Sequence, residues 1–260
     1  QSAYIQGMMH HLHKQGYACV LMHFRGCSGR ANRTARAYHS GDTADAQAWV
    51  LHLKSSFPNS PLFAIGYSLG GNMLLKLLAQ YGTKSPFKAA VAVSAPIQLA
   101  ICAKTMQQGF ARVYQQYLLR PLKQSLLYKF ATHDYVSLIG LNAKSVNKIN
   151  SIEQFDDCYT AKIHGFEDAK DYYGKSSAKQ YLSLIQCHTL IIHAIDDPFM
   201  SGKLLPKVCE LPDNIRLETP ENGGHLGFVS GTLFKPQYWL EQRITDYFLS
   251  LTTNLYRKKS

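Results

Sequence analysis

Residues 66–70 read Gly-Tyr-Ser-Leu-Gly, a G-x-S-x-G pattern whose surroundings constrain the fold more than any other feature of the chain. Before it runs Leu62-Phe63-Ala64-Ile65, a short apolar segment bounded by Pro61 that predicts a buried strand. After it, Gly71 to Ala79 is rich in good helix formers and predicts a helix. Strand, sharp turn and helix together make a nucleophile elbow. Its backbone is strained at the serine, so Gly66 and Gly70 are expected to be needed for their lack of a Cβ. The helix start then offers the Leu69 N–H to a developing oxyanion.

A serine needs a base to become nucleophilic, and the base needs an acid to orient it. In this class of elbow they follow in the order serine, acid, histidine. Thr189 to Ala194 is an apolar, β-branched run that predicts a strand, and it ends in Ile195-Asp196-Asp197-Pro198. A carboxylate just past a strand end lies where such sites assemble. Asp197 precedes Pro198, which holds it extended, and a rigid mount suits an acid that fixes a histidine tautomer. Asp197 is therefore the expected acid, and Asp196 a loop carboxylate satisfied by backbone N–H groups. Ile215 to Thr219 predicts a further strand, followed by Glu221-Asn222-Gly223-Gly224-His225-Leu226-Gly227. Glycines on both sides of His225 permit a tight loop, so His225 is the expected base. Such chemistry requires no metal or organic cofactor.

The motifs are similar to those of the YheT-type family of α/β-hydrolases, related to ABHD-type lipases and to yeast fatty-acyl ethyl ester synthase/esterases. The resemblance is carried by Met22-His23-Phe24-Arg25-Gly26-Cys27-Ser28-Gly29, Tyr38-His39-Ser40-Gly41 and Gly66 to Met73. It continues through Phe155-Asp156-Asp157, Ile163-His164-Gly165-Phe166, Asp171-Tyr172-Tyr173, Asp196 to Met200 and Gly223 to Phe228. It implies a carboxylic-ester hydrolase with Ser68 as nucleophile, Asp197 as acid and His225 as base; the expected substrate is a small-molecule ester of small or medium acyl chain. It also implies N-terminal strands and a His-Gly loop carrying part of the oxyanion hole. The chain opens at Gln1, near the start of the helix that should follow that loop. The N-terminal strands are thus expected to be missing, and a second oxyanion donor to lie outside this chain. His10, His11 and His13 fall in the predicted helix from Ser2 to Gln15 and read as exposed.

Composition narrows the alternatives. The 260 residues are 46% apolar and 17% charged, as in a globular protein with a full core. No apolar run approaches the ~20 residues needed to cross a bilayer. The six cysteines are scattered without a C-x-x-C pair, which argues against zinc and for reduced thiols in a cytoplasmic setting. The net charge of +11 comes from dispersed basic residues, with one tight run at Arg257-Lys258-Lys259. No nucleic-acid module is recognisable, so a solvated basic surface is expected, with weak contact to acidic lipid headgroups as the residual reading. The oligomeric state is not legible.

Alternating strands and helices predict an α/β-hydrolase fold, a mostly parallel sheet with helices on both faces. Ala18 to Met22 and Ala89 to Val93 read as further strands, Asp42 to Phe57 as an amphipathic helix capped by Gly41-Asp42, and Pro236 to Leu251 as the last helix. Residues 1–96 and 182–260 are expected to form the hydrolase core, and 97–181 a helical cap inserted above the serine. Arg25 reads as a loop clamp through backbone carbonyls or through Asp42 or Asp45. His23, His39, His164 and His193 read as packed histidines, with His164 the one placed to reach the cavity. The triad alone does not separate hydrolysis from acyl transfer to an alcohol. A non-catalytic binding module on the same scaffold is a rival that a complete triad argues against, and a basic membrane-surface adaptor is a weaker one.

Overall fold

The computed structural model describes residues 2–200, 202–232 and 235–256. Short apolar runs become β1 (Leu62–Tyr67), β2 (Phe87–Val93), β3 (His188–Ile192) and β4 (Ile215–Glu218). They pair in parallel in the order β1-β2-β3-β4, which requires a long crossover connection between successive strands. The first helices are α1 (Ala3–Lys14), α2 (Ala44–Ser56) and α3 (Leu69–Tyr81).

Between β2 and β3 the chain is helical. It contains α4 (Leu99–Thr105), α5 (Ala111–Lys129), α6 (Tyr135–Ile139), α7 (Ala143–Lys148), α8 (Ile152–Phe155), a π-helical turn (Asp156–Ala161) and α9 (Ala169–Ser176). After β4, a hairpin of β5 (Val229–Thr232) and β6 (Lys235–Tyr238) leads into α10 (Trp239–Tyr256).

Strand periodicity divides the core into two layers. Ala90 and Ala92 of β2 pack with Met73, Leu74, Leu77 and Leu78 of α3, while Ala89, Val91 and Val93 pack with Met8 and Leu12 of α1 and Ile244 and Phe248 of α10. Both sheet faces are thereby covered, as buried parallel strands require. The inserted helices hold a core of their own, built on Leu119, Leu126, Tyr135, Val146 and Phe155. Lys129 joins it to the loop after residue 24, with its buried ammonium donating to Asn32 Oδ1, Ala35 O and Arg36 O at 3.0–3.2 Å.

Several elements differ from expectation. Ala18 to Met22 carries no ladder among the described residues. An alternating run becomes a strand only where a neighbouring strand supplies hydrogen bonds, and no described strand lies against it. The second helix begins at Ala44, with Thr43 as N-cap; the Thr43 hydroxyl donates to Gln80 Oε1 at 2.7 Å instead of capping. Pro236 does not start the last helix but faces Gly231 in the hairpin, and α10 begins at Trp239. His11 is half-buried rather than exposed, and its Nε2 has no partner among the described residues.

Asn72, four residues past the serine, ties these parts together. Its Nδ2 donates to Ser40 O, Ser40 Oγ and Ser176 O at 2.8–3.1 Å, and its Oδ1 accepts from Ala178 N at 2.9 Å. One fully buried side chain thus binds α3 to the 38–42 loop and to the end of the helical insertion. Asn72→Ala is expected to destabilise the fold by about 3 kcal/mol or more, because each orphaned buried partner costs about 1–3 kcal/mol. Urea unfolding measures this, and a loss below 1 kcal/mol would show that the partners find replacements.

Candidate active site

The elbow between β1 and α3 holds Ser68 at φ 49° and ψ −123°, in the left-handed half of backbone space that non-glycine residues avoid. Three backbone hydrogen bonds hold it there: Ser68 N donates to Val93 O at 2.8 Å, and Ser68 O accepts from Gly71 N at 2.8 Å and Asn72 N at 3.2 Å. The turn is so tight that a Cβ on Gly66 would lie 2.5 Å from Gly70 O. A Cβ on Gly71 would lie 2.9 Å from the Ala95 Cβ, whereas one on Gly70 would meet only Phe24 Cε2 at 4.0 Å. The steric need expected at Gly70 therefore falls on Gly71, because α3 packs against the end of β2 through that residue.

The strand ends are stitched in sequence. Ser94 N donates to Ile192 O at 2.8 Å, and His193 N to Glu218 O at 3.0 Å. Beyond β3, Asp197 is buried; its Oδ1 accepts from Phe199 N at 2.9 Å and its Oδ2 lies 2.8 Å from His225 Nδ1. His225 Nε2 lies 3.0 Å from Ser68 Oγ. The structure thus brings Ser68, His225 and Asp197 into one hydrogen-bonded line, and the Leu69 N–H stands at the first position of α3, where no intrahelical carbonyl can bond it.

Asp196 is exposed, and the carboxylate that meets the imidazole is that of Asp197. Its Oδ1 accepts from Gly223 N at 2.9 Å and Gly224 N at 2.8 Å, so it fastens the loop that carries His225. The same loop is pinned by the Phe228 ring, which would lie 2.6 Å from a Cβ on Gly223. Ser94 also holds it, through a hydrogen bond from its hydroxyl to His225 O. Sequence reasoning missed Ser94, Gly71 and Asn72, whose partners lie far along the chain or past another strand end.

A cavity of about 530 Å³ opens beside Ser68 and His225. Phe24, Tyr38, Leu99, Leu122 and Phe155 give it an apolar wall. Tyr114 of α5 stacks on Phe199 at 3.7 Å, and Phe199 in turn sets its edge on His225 at 5.3 Å. Asp156 is a half-buried acid on the wall, held by Tyr173 Oη donating to Oδ2 at 2.8 Å, and desolvation pushes its carboxyl up to about 6. Arg25 also lines the cavity but is spent on Asp45, donating Nε to Oδ2 at 2.6 Å and Nη2 to Oδ1 at 2.5 Å. It is His39, not His164, that reaches the cavity.

His39, Asp42 and His164 bring ligand-type atoms within 4.8 Å of one another. Protein groups already engage them: His39 Nδ1 accepts from Gly41 N at 3.1 Å, Asp42 Oδ2 accepts from Arg36 at 3.3 Å, and His164 Nδ1 faces Thr160 O at 2.8 Å. His193 is buried beside the site with its Nε2 unpartnered among the described residues.

Residues 2–232 match the family model described as alpha/beta hydrolase fold. The chain belongs to the α/β-hydrolase family. Within it, 257 residues, 99% of the chain, are 48% identical to the protein named “Putative esterase YheT” of Escherichia coli (strain K12), covering 74% of that protein. Phospholipase ABHD3 of Mus musculus is 31% identical over 89% of the chain, and Monoacylglycerol lipase ABHD2 of Danio rerio 28% identical over 94%. The chain spans 56% and 59% of those two proteins. An esterase from Pyrococcus furiosus superposes with a TM-score of 0.59 at 16% identity, over 95% of this chain and 75% of that one. This α/β-hydrolase is an enzyme of the hydrolase class with esterase and lipase relatives. Among its described residues no helix is long and apolar enough to cross a membrane.

Two expectations test the local physics. Gly66→Ala forces the elbow apart and lowers stability by more than about 2 kcal/mol, whereas Gly70→Ala costs about 1 kcal/mol or less; equal losses in thermal unfolding would refute the steric reading. The second concerns acid. Burial lowers His39 to about 4 and lowers His164 and His193 as well, so the folded chain keeps neutral what the unfolded chain protonates below about 6.5. Their contribution is full above about pH 6.5 and is lost as pH falls toward the folded values. Asp156, raised by burial to about 6, opposes them, since the unfolded carboxyl ionises near 3.9. Three groups against one predict falling stability from pH 6.5 to 4.5, with a shallower slope in His39→Gln; a flat profile in denaturant titrations would contradict this.

Proposed function

We propose that this α/β-hydrolase is a serine carboxylic-ester hydrolase working through Ser68, His225 and Asp197 on an ester of small or medium acyl chain. The observation that carries the reading is the line from Ser68 Oγ to His225 Nε2 at 3.0 Å and from His225 Nδ1 to Asp197 Oδ2 at 2.8 Å, at the wall of a largely apolar cavity. With Nδ1–H donating to the buried carboxylate, Nε2 carries the lone pair that accepts the serine proton. Ser68 Oγ attacks the ester carbonyl, and the oxyanion takes the Leu69 N–H as one donor. His225 then protonates the leaving alcohol, and afterwards takes a proton from the water that attacks the acyl-enzyme. Asp197 keeps the ring oriented and stabilises it while it is charged.

The helical segment 97–181 acts as a cap. Tyr114, Leu118, Leu122 and Phe155 come from it and face the same cavity as Ser68. A volume of about 530 Å³ lies within the range of small-ligand sites, roughly 300–1,000 Å³, and its apolar wall suits an acyl chain better than a charged group.

Hydrolysis of p-nitrophenyl esters of graded acyl length tests the reading. Ser68→Ala should abolish turnover and fluorophosphonate labelling. Asp197→Asn should lower kcat by about 10⁴ with little change in KM, the size of loss seen when a serine-protease acid is replaced. A folded protein that neither reacts with the probe nor turns over any ester would overturn it.

A further inference from the structure

From residue 97 to residue 133 the chain carries Lys104, Arg112, Arg120, Lys123 and Lys129 and not one Asp or Glu, and α7 adds Lys144 and Lys148 with no acid of its own. Seven basic residues thus stand in α4, α5 and α7 without an acid among them. Lys104, Arg112, Arg120, Lys144 and Lys148 are exposed, and none is in an ion pair among the described residues.

The same helices expose apolar side chains that a solvated surface would not need. Phe110 is 78% exposed, Val113 62%, Tyr117 73% and Tyr128 72%. At 3.6 residues per turn these four fall on one face of α5, with Phe110 continuing its helical backbone at the N-cap. Pro121 lies on that face too and also lines the cavity, as does Tyr114, whose ring stacks on Tyr117 at 6.1 Å. The stripe therefore borders the cavity on one side. On its other side comes Arg120, and then Lys123, which donates to Asn147 O and Ile149 O at 2.9 and 2.7 Å and so draws α7 with its two lysines alongside.

We propose that this face of α5, with α7 beside it, docks on an anionic lipid bilayer, setting the cavity mouth against the membrane surface. Exposed aromatic and aliphatic side chains flanked by lysine and arginine are the pattern that seats a helix in the headgroup region, where the apolar edge enters the interface and the cations meet acidic headgroups. A solvated basic helix would carry the charge without the apolar stripe, and a contact between two copies would set like charges face to face. The docking stands apart from catalysis; that it delivers an ester to Ser68 rests on the hydrolase reading.

Co-sedimentation with vesicles tests the docking on the full chain carrying Ser68→Ala, so that no lipid is consumed. Vesicles of phosphatidylcholine with about one third phosphatidylglycerol should bind it, pure phosphatidylcholine vesicles at least tenfold less, and added salt should weaken binding. Arg120→Gln with Lys148→Gln should lower partitioning by roughly tenfold or more. Phe110→Ser with Tyr117→Ser should lower it comparably, while in the unmodified background turnover of a short water-soluble ester stays unchanged. Equal binding to both vesicle types, or binding untouched by either pair of substitutions, overturns the proposal. So does a Tyr117-dependent dimer in solution without vesicle binding, which would assign the face to a second copy. Loss of the hydrolase reading would appear separately, as absent turnover of the soluble ester by the unmodified chain.

Discussion

Everything at the candidate site depends on one strained residue. Ser68 keeps a backbone conformation costing of order 1–3 kcal/mol, and it does so because its neighbours leave no alternative. Its N–H is committed to Val93 O, its carbonyl to the first turn of α3, and the Gly66–Gly70 approach closes the turn behind it. The strain lifts Oγ out of the sheet toward the imidazole. A relaxed turn would leave the hydroxyl among the strands, out of reach of His225.

A second strained serine repeats the device one strand over. Ser94 stands at φ 47° just past β2, with its N–H on Ile192 O and its hydroxyl on the His225 carbonyl. The two serines thus hold opposite ends of the Ser68–His225 hydrogen bond, one through its own hydroxyl and one by fixing the histidine backbone. Asp196 and Asp197 divide the labour in the same way. The exposed one ties down the loop through two glycine N–H groups, and the buried one takes the imidazole. Precision comes from backbone carbonyls and amides at strand ends, which move little, rather than from long side chains.

Legibility in the sequence followed the range of the interactions. The elbow was readable because strand, turn and helix are contiguous and the glycine requirement is local. The preference for Asp197 over Asp196 rested on Pro198, again a neighbour effect, and Asp197 is the carboxylate hydrogen-bonded to His225. Arg25 read as a loop clamp and spends its guanidinium on Asp45. By contrast, Gly70 looked necessary and Gly71 did not, because what crowds Gly71 is Ala95, from another strand. Asn72 looked like an ordinary helix residue, since its partners lie 32, 104 and 106 positions away. His164 was favoured for the cavity, yet the tertiary arrangement turns His39 to it.

What the sequence by itself determined is the set of short-range commitments: where the strands turn into helices, which serine sits in the elbow, and that Asp197 and His225 follow strand ends further along the chain. Those are written in glycine, proline and apolar periodicity within a few residues. Tertiary structure decided the rest. It left Ala18 to Met22 without a ladder among the described residues, made Pro236 part of a hairpin, and left Tyr117 and Tyr128 exposed along α5. Backbone pairing and side-chain neighbours across tens of residues have no local signature, because a hydrogen bond or a charge cluster depends on where the chain returns and not on how it leaves.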